Sequence, residues 1–113
     1  MILMADGSLS CRVIKCDLDS VLCEVMNTAT IGEKKNMNLP GCLVELPTVT
    51  EKDENDIKEF GLKYGVDLIA LSFARTAGDI NNVREIMGPR GSKVKIIAKI
   101  ENQDGLNNYD EIL

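Results

Sequence analysis

Polar and apolar residues alternate along the first part of the chain. Leu9, Cys11 and Val13 interleave with Ser10, Arg12 and Ile14, and Val21, Cys23 and Val25 interleave with Leu22, Glu24 and Met26. A period of two predicts strands over residues 8–15 and 21–27, and the turn formers of 16–20 make them a hairpin. Residues 31–41 are polar and glycine-bearing, and read as a loop joining two structural units.

The pattern changes near Gly41 to alternating helix and strand. Thr50 with Asp53 three positions on is close to a capping box. Ile57, Phe60, Leu62 and Tyr64 follow, and Gly65 is placed to end that helix. Residues 66–73 form a nearly continuous apolar run, which predicts a strand buried on both faces of a parallel sheet. Asp79 is expected to cap a second helix carrying Ile80, Val83, Ile86 and Met87 and closing before Gly88. Residues 94–100 repeat the buried-strand pattern, and 107–113 open a third helix. Strands separated by helices pair in parallel. Two strands leave sheet edges open, so residues 47–113 read as a piece of a larger α/β fold.

Composition narrows the possibilities. With 113 residues, 44% hydrophobic and 27% charged, the chain has the size of one globular domain at most and is not of the disordered class. No apolar stretch is long enough for a membrane helix, and the N-terminus lacks the basic start of a signal peptide, so no membrane partner is expected. A net charge of −5 argues against nucleic-acid binding. The absence of histidine removes Ser-His-Asp and Cys-His catalysis and imidazole zinc sites. Cys11, Cys16, Cys23 and Cys42 show no Cys-x-x-Cys spacing and read as reduced thiols on strands of a cytosolic chain.

The strongest local candidate for chemistry is Lys99 with Glu101 at the C-terminal end of the second buried-type strand. Residues two apart on a strand point the same way, so both face the space where parallel α/β folds bind ligands. An ammonium beside a carboxylate suits a phosphate with a divalent cation. It also suits a plain ion pair. Ser72 and Arg75 occupy the equivalent end of the preceding strand, as site lining or as a solvated exit. Lys34 and Lys35 lie in the connecting loop. Asp6-Gly7 reads as a turn. Glu51, Asp53, Glu54 and Asp56 cluster at a helix start, where they complement the macrodipole.

Five segments stand in order: Lys34-Lys-Asn-Met-Asn-Leu-Pro-Gly41, Leu46-Pro-Thr-Val-Thr-Glu-Lys-Asp53, Ala70-Leu-Ser-Phe-Ala-Arg75, Lys99-Ile-Glu-Asn-Gln-Asp-Gly105 and Tyr109-Asp-Glu-Ile-Leu113. Together they resemble the middle of pyruvate kinase, and Asn27-Thr-Ala and Asp67-Leu-Ile-Ala-Leu-Ser-Phe73 are similar in style to plant cytosolic forms. The resemblance implies a fragment of a (β/α)8 TIM barrel preceded by the end of a small inserted β-barrel domain. Residues 1–45 would be the end of the inserted domain and its hinge, and 46–113 would run from the third barrel helix to the start of the fifth. It implies transfer of phosphate from phosphoenolpyruvate to ADP, giving pyruvate and ATP in glycolysis, with Mg2+ and K+, in a cytoplasmic homotetramer. It assigns Lys99 to the transferring phosphoryl group, Glu101 to Mg2+ and Lys35 to the nucleotide phosphates, with Ser72 and Arg75 lining the site. The second magnesium carboxylate and the potassium ligands fall outside residues 1–113. The isolated chain is therefore expected to be inactive. A catalytic segment and a non-catalytic, partner-binding remnant both carry these motifs.

Overall fold

The computed structural model describes residues 1–42 and 44–113. The chain divides into two compact units, Met1–Val44 and Glu45–Leu113.

The first unit is an antiparallel sheet of four strands. These are β1 (Ile2–Met4), β2 (Leu9–Cys16), β3 (Val21–Val25) and β4 (Met37–Asn38), in the order β3-β2-β1-β4. The expected hairpin is β2–β3, its turn closed by the Asp17 N–H on the Ser20 carbonyl at 2.9 Å. Cys11 is buried at the sheet centre, opposite Ile2 on one side and Val25 on the other. The register slips between Val13 and Lys15, so Ile14 is the extra residue of a β-bulge, beyond which β2 is exposed. Arg12 and Glu24 pair across the hairpin.

Strand β3 ends two residues earlier than the alternation suggested, because Asn27 bonds through its side chain instead. Its Oδ1 accepts from the Ser10 N–H and its Nδ2 donates to the Ser8 carbonyl, both at 2.8 Å. The loop expected over residues 31–41 contains β4, which pairs with β1. Strands of two and three residues are too short to show a period in sequence. The Asp6-Gly7 turn is present, with Ala5, Asp6 and Gly7 all left-handed at φ 50°, 57° and 83°. Asn36 braces it by accepting the Asp6 N–H at 3.1 Å.

In the second unit, α1 (Glu51–Asp56) starts on a complete Thr50–Asp53 capping box, a feature worth about 1 kcal/mol. Glu51, Asp53 and Glu54 fill its first turn, as the macrodipole favours. It widens into a π-helical segment, Ile57–Leu62, and the chain leaves the helix at Gly65, φ 67°. Then come β5 (Leu68–Leu71), α2 (Ala77–Met87), a 3-10 turn (Gly88–Gly91), β6 (Lys95–Ala98), α3 (Gln103–Asn107) and α4 (Tyr109–Ile112). Strands β5 and β6 are parallel, with Leu68 opposite Lys95 and Leu71 opposite Ala98. Ile57, Leu71, Ala74, Ile80, Val83 and Met87 form the core, with Ile69, Ile96 and Ala98 packed against it.

Three features differ from the sequence expectation. Thr76, not Asp79, caps α2: its backbone is extended, and Asp79 is the reciprocal carboxylate of the capping box. The third helix starts earlier than residue 107, capped by Asn102, and is interrupted at Asn108 before α4. The two strands are covered on one face only. Ile69, Leu71, Ile96 and Ala98 pack against the core, whereas Leu68 and Ile97 are 52% and 48% exposed. Side chains alternate across a strand, and the helices of this chain cover one side. A continuous apolar run hides that asymmetry.

Candidate functional site at the ends of β5 and β6

The open sheet face carries the candidate chemistry. On β6 the exposed positions are Lys95 and Ile97, and Lys99 follows in the same alternation with Glu101 beyond it. On β5, Leu68, Ala70 and Ser72 are the exposed series. Backbone bonds join the strand ends past the ladder: the Lys99 N–H reaches the Leu71 carbonyl at 2.9 Å, and the Ala74 N–H reaches the Lys99 carbonyl at 3.2 Å. The C-terminal ends of β5 and β6 therefore adjoin, with Ser72 just past the end of β5 and with Lys99 and Glu101 just past the end of β6.

Lys99 Nζ lies 3.4 Å from Glu101 Oε1, with the side chains 42% and 35% exposed. A loose, solvated pair of this kind is worth at most about 1 kcal/mol, so it is a weak reason for the arrangement. The other carboxylate oxygen, Oε2, accepts the Phe73 N–H at 2.8 Å. Phe73 has φ 53°, a left-handed conformation uncommon for a large residue. That turn of the backbone directs its N–H at Glu101.

Arg75 is directed elsewhere. Its Nη2 donates to the Leu46 carbonyl at 2.7 Å and to Thr48 Oγ1 at 3.0 Å. Its own N–H donates to Asp79 Oδ2 at 2.9 Å, and Asn108 Nδ2 donates to its carbonyl at 2.9 Å. Burial opposes charge on Asp79. The N–H of Arg75, the Thr48 hydroxyl, the N–H of Thr76 and the Arg75 charge outweigh it and hold this carboxyl below its ordinary range. Lys35 belongs to the first unit. It is exposed and follows a turn in which Lys34 has φ 55°.

Among the described residues no three histidines, cysteines or carboxylates gather as a ready-made metal cage. Glu101 offers one hard anionic oxygen donor beside a cation. That fits Mg2+, which is held by one or two carboxylates and keeps room for water and phosphate oxygens. A cleft of about 390 Å3 runs between Ile57, Phe60 and the edge of β5, where it meets Leu68, Ala70 and Ser72. It does not include Lys99 or Glu101 and follows the strand edge that β6 leaves unpaired.

The family model described as the barrel domain of pyruvate kinase matches residues 1–113. The chain belongs to the pyruvate kinase family. It is 55% identical to the pyruvate kinase of Eimeria tenella over 112 residues, covering 99% of this chain and 21% of that protein. Against the cytosolic isozyme of Solanum tuberosum it is 51% identical over 114 aligned positions, covering 99% of this chain and 22% of the relative. The solved structure of Cryptosporidium parvum pyruvate kinase in complex with ADP superimposes with a TM-score of 0.86 at 47% identity, over 98% of this chain and 23% of that one. The chain thus spans about a fifth of the length of the relatives it matches. Plant cytosolic isozymes are among them, and no helix among the described residues is long and apolar enough to cross a membrane.

Sequence reasoning named Lys99, Glu101 and Ser72 but not the groups that hold their surroundings. The Phe73 N–H carries no signal in sequence, because a backbone donor has none. Thr48 and Asn108 are ordinary polar residues until the fold brings them to Arg75, and Asp79 reads in sequence only as a helix cap. Gly105 lies ahead of the helix expected from residue 107, so its place inside α3 carries no signal in sequence. A Cβ there would lie 2.4 Å from the Ala74 carbonyl oxygen.

Proposed function

We propose that this chain is the central segment of a pyruvate kinase that transfers phosphate from phosphoenolpyruvate to ADP. The observation that carries the reading is the placement of Lys99 and Glu101 side by side at the C-terminal end of β6, which runs parallel to β5. Phosphoryl transfer needs positioning and charge stabilisation more than covalent help. The Lys99 ammonium would neutralise charge gathering on the phosphoryl oxygens as the bond to the enol oxygen breaks and the bond to the ADP phosphate forms. Glu101 would hold Mg2+, which supplies Lewis-acid neutralisation of phosphate charge when bound. Lys35, carried on the first unit, would pair with the nucleotide phosphates. Ser72 would offer a hydroxyl to the same space.

On this reading β5 and β6 are neighbouring strands of a (β/α)8 barrel, and Met1–Val44 is the end of an inserted β-domain with its hinge. Such barrels place catalysis at the C-terminal strand ends, where Lys99 and Glu101 stand. The potassium ion, the second magnesium carboxylate and the tetramer contacts would come from outside residues 1–113, in a cytoplasmic enzyme.

Grafting tests the reading. Residues 1–113 replace the matching segment of the full-length Eimeria tenella enzyme, and ATP formation from phosphoenolpyruvate and ADP is followed. Turnover within about tenfold of the parent is expected, a barrier change of no more than about 1.4 kcal/mol. A folded chimera with no turnover overturns the proposal.

A further inference from the structure

Residues 73–75 are tied to the elements around the site by several hydrogen bonds. Ala74 is 0% exposed. Its N–H is bound to the end of β6, and its carbonyl stands against the start of α3 so closely that only a glycine fits at 105. Arg75 is held on both backbone sides, by Asp79 from α2 and by Asn108 between α3 and α4. Its guanidinium then fastens the segment to Leu46 and Thr48, ahead of α1. Phe73 is the next residue back, and its left-handed backbone is followed directly by the bonded Ala74 and Arg75.

We propose that Arg75 is a positioning residue for the metal-ligand carboxylate. By fastening the turn after β5 to Leu46 and Thr48, it holds the Phe73 N–H where it fixes Glu101 Oε2. It does not contact substrate. This extends the reading of Glu101 as the magnesium ligand and rests on it. A glutamate with one oxygen already fixed loses less freedom on meeting a cation, so its affinity for the ion is higher. Arginine suits the task because its planar fork reaches a carbonyl and a hydroxyl together, which a lysine point charge does not.

The test uses a full-length pyruvate kinase carrying this segment. Mn2+ binding is titrated by the electron paramagnetic resonance signal of the free ion, without substrates, for the parent, Glu101→Gln, Arg75→Met and Thr48→Val. Phosphoenolpyruvate KM is measured separately at saturating metal. Arg75→Met is expected to weaken Mn2+ binding about tenfold, and Thr48→Val in the same direction by about threefold, with phosphoenolpyruvate KM at saturating metal changed less than twofold. Arg75→Lys should recover only part of the loss. Arg75→Met that raises phosphoenolpyruvate KM and leaves Mn2+ binding unchanged makes Arg75 a substrate contact and overturns the proposal. Lower thermal stability with unchanged Mn2+ binding also overturns it. If Arg75→Met does not fold, unchanged Mn2+ binding in Thr48→Val decides against the proposal. Glu101→Gln that binds Mn2+ as the parent does overturns both the site reading and this extension, whereas a weak Glu101→Gln beside an unaffected Arg75→Met overturns this extension alone.

Discussion

The Phe73 N–H donates to Glu101 Oε2 at 2.8 Å, joining residues 28 positions apart in sequence. The bond runs from the turn after β5 to the turn after β6, so the two strand ends share one polar constellation. It leaves Oε1 facing Lys99. A carboxylate held this way presents its charge in one direction, which the solvated Lys99 pair alone would not enforce.

That division of labour separates the two charged residues kinetically. In a full-length enzyme carrying this segment, Lys99→Met should lower turnover by about 10²–10³-fold or more, because on the proposed reading the ammonium would act on charge that develops in the transition state. Its magnesium half-saturation should move little. Glu101→Gln should lower turnover and raise magnesium half-saturation together, since an amide keeps the shape and loses the anionic ligand. A magnesium titration of rate separates them. Turnover within about threefold of the parent for Lys99→Met, a barrier change well under 1.4 kcal/mol, makes Lys99 a simple ion-pair partner.

Gly105 tests the packing beneath the site. An added methyl would meet the Ala74 carbonyl oxygen at 2.4 Å, a backbone atom that cannot swing aside as a flexible side-chain tip would. In a full-length enzyme carrying this segment, Gly105→Ala should therefore push α3 from the turn after β5 and destabilise by about 1–3 kcal/mol, the usual cost of overpacking. Gly78→Ala is the control, since its nearest neighbour is a threonine hydroxyl at 3.3 Å. Equal denaturation midpoints for the two variants would contradict the close approach.

What sequence could reveal here depended on the range of the interaction. The β2–β3 hairpin, the Thr50–Asp53 box and the parallel order of β5 and β6 rest on local period and cap chemistry, which are written in consecutive residues. Lys99 and Glu101 were legible for the same reason, being two apart at a strand end. The left-handed Phe73, the direction of Arg75 toward Leu46 and the one-sided burial of β5 and β6 depend on partners about 30 residues away. The cap of α2 is ambiguous in sequence because Thr76 and Asp79 are both good cap residues, and only backbone angles show which one is extended.

Two capping carboxylates predict an acid dependence. Asp53 is held below its ordinary 3.8 chiefly by the Thr50 hydroxyl and N–H. Asp79 is also held below 3.8, with burial opposing and the Arg75, Thr48 and Thr76 donors prevailing. Both groups bind protons more weakly folded than unfolded. Each contributes stability that is complete above the unfolded value and lost as pH falls through the lower folded value. Melting temperature of a full-length enzyme carrying this segment should therefore drop as pH falls from about 5 through 3.8 and below. Asp79→Asn should be less stable than the parent at neutral pH, and the gap should narrow in acid. A gap that stays constant across that range would remove Asp79 from the account.

The open face of β5 and β6 governs how the 113-residue chain behaves by itself. Leu68 and Ile97 are 52% and 48% exposed on that face, and β5 has an unpaired outer edge in the two-stranded sheet. Apolar strands with a free edge associate, because the edge offers backbone partners and the face removes apolar surface from water. The isolated chain should scatter light increasingly with concentration and bind a hydrophobic dye. Ile97→Glu should reduce both while keeping the circular dichroism of the parent, since the new carboxylate sits between Lys95 and Lys99 on the same face. The isolated chain should also show no turnover in an assay coupled to pyruvate, because on the proposed reading Glu101 would supply one of two magnesium carboxylates and most substrate positioning would come from outside residues 1–113. A soluble monomer with a sharp cooperative melt would overturn the first expectation, and phosphoenolpyruvate-dependent ATP formation by the purified chain would overturn the second.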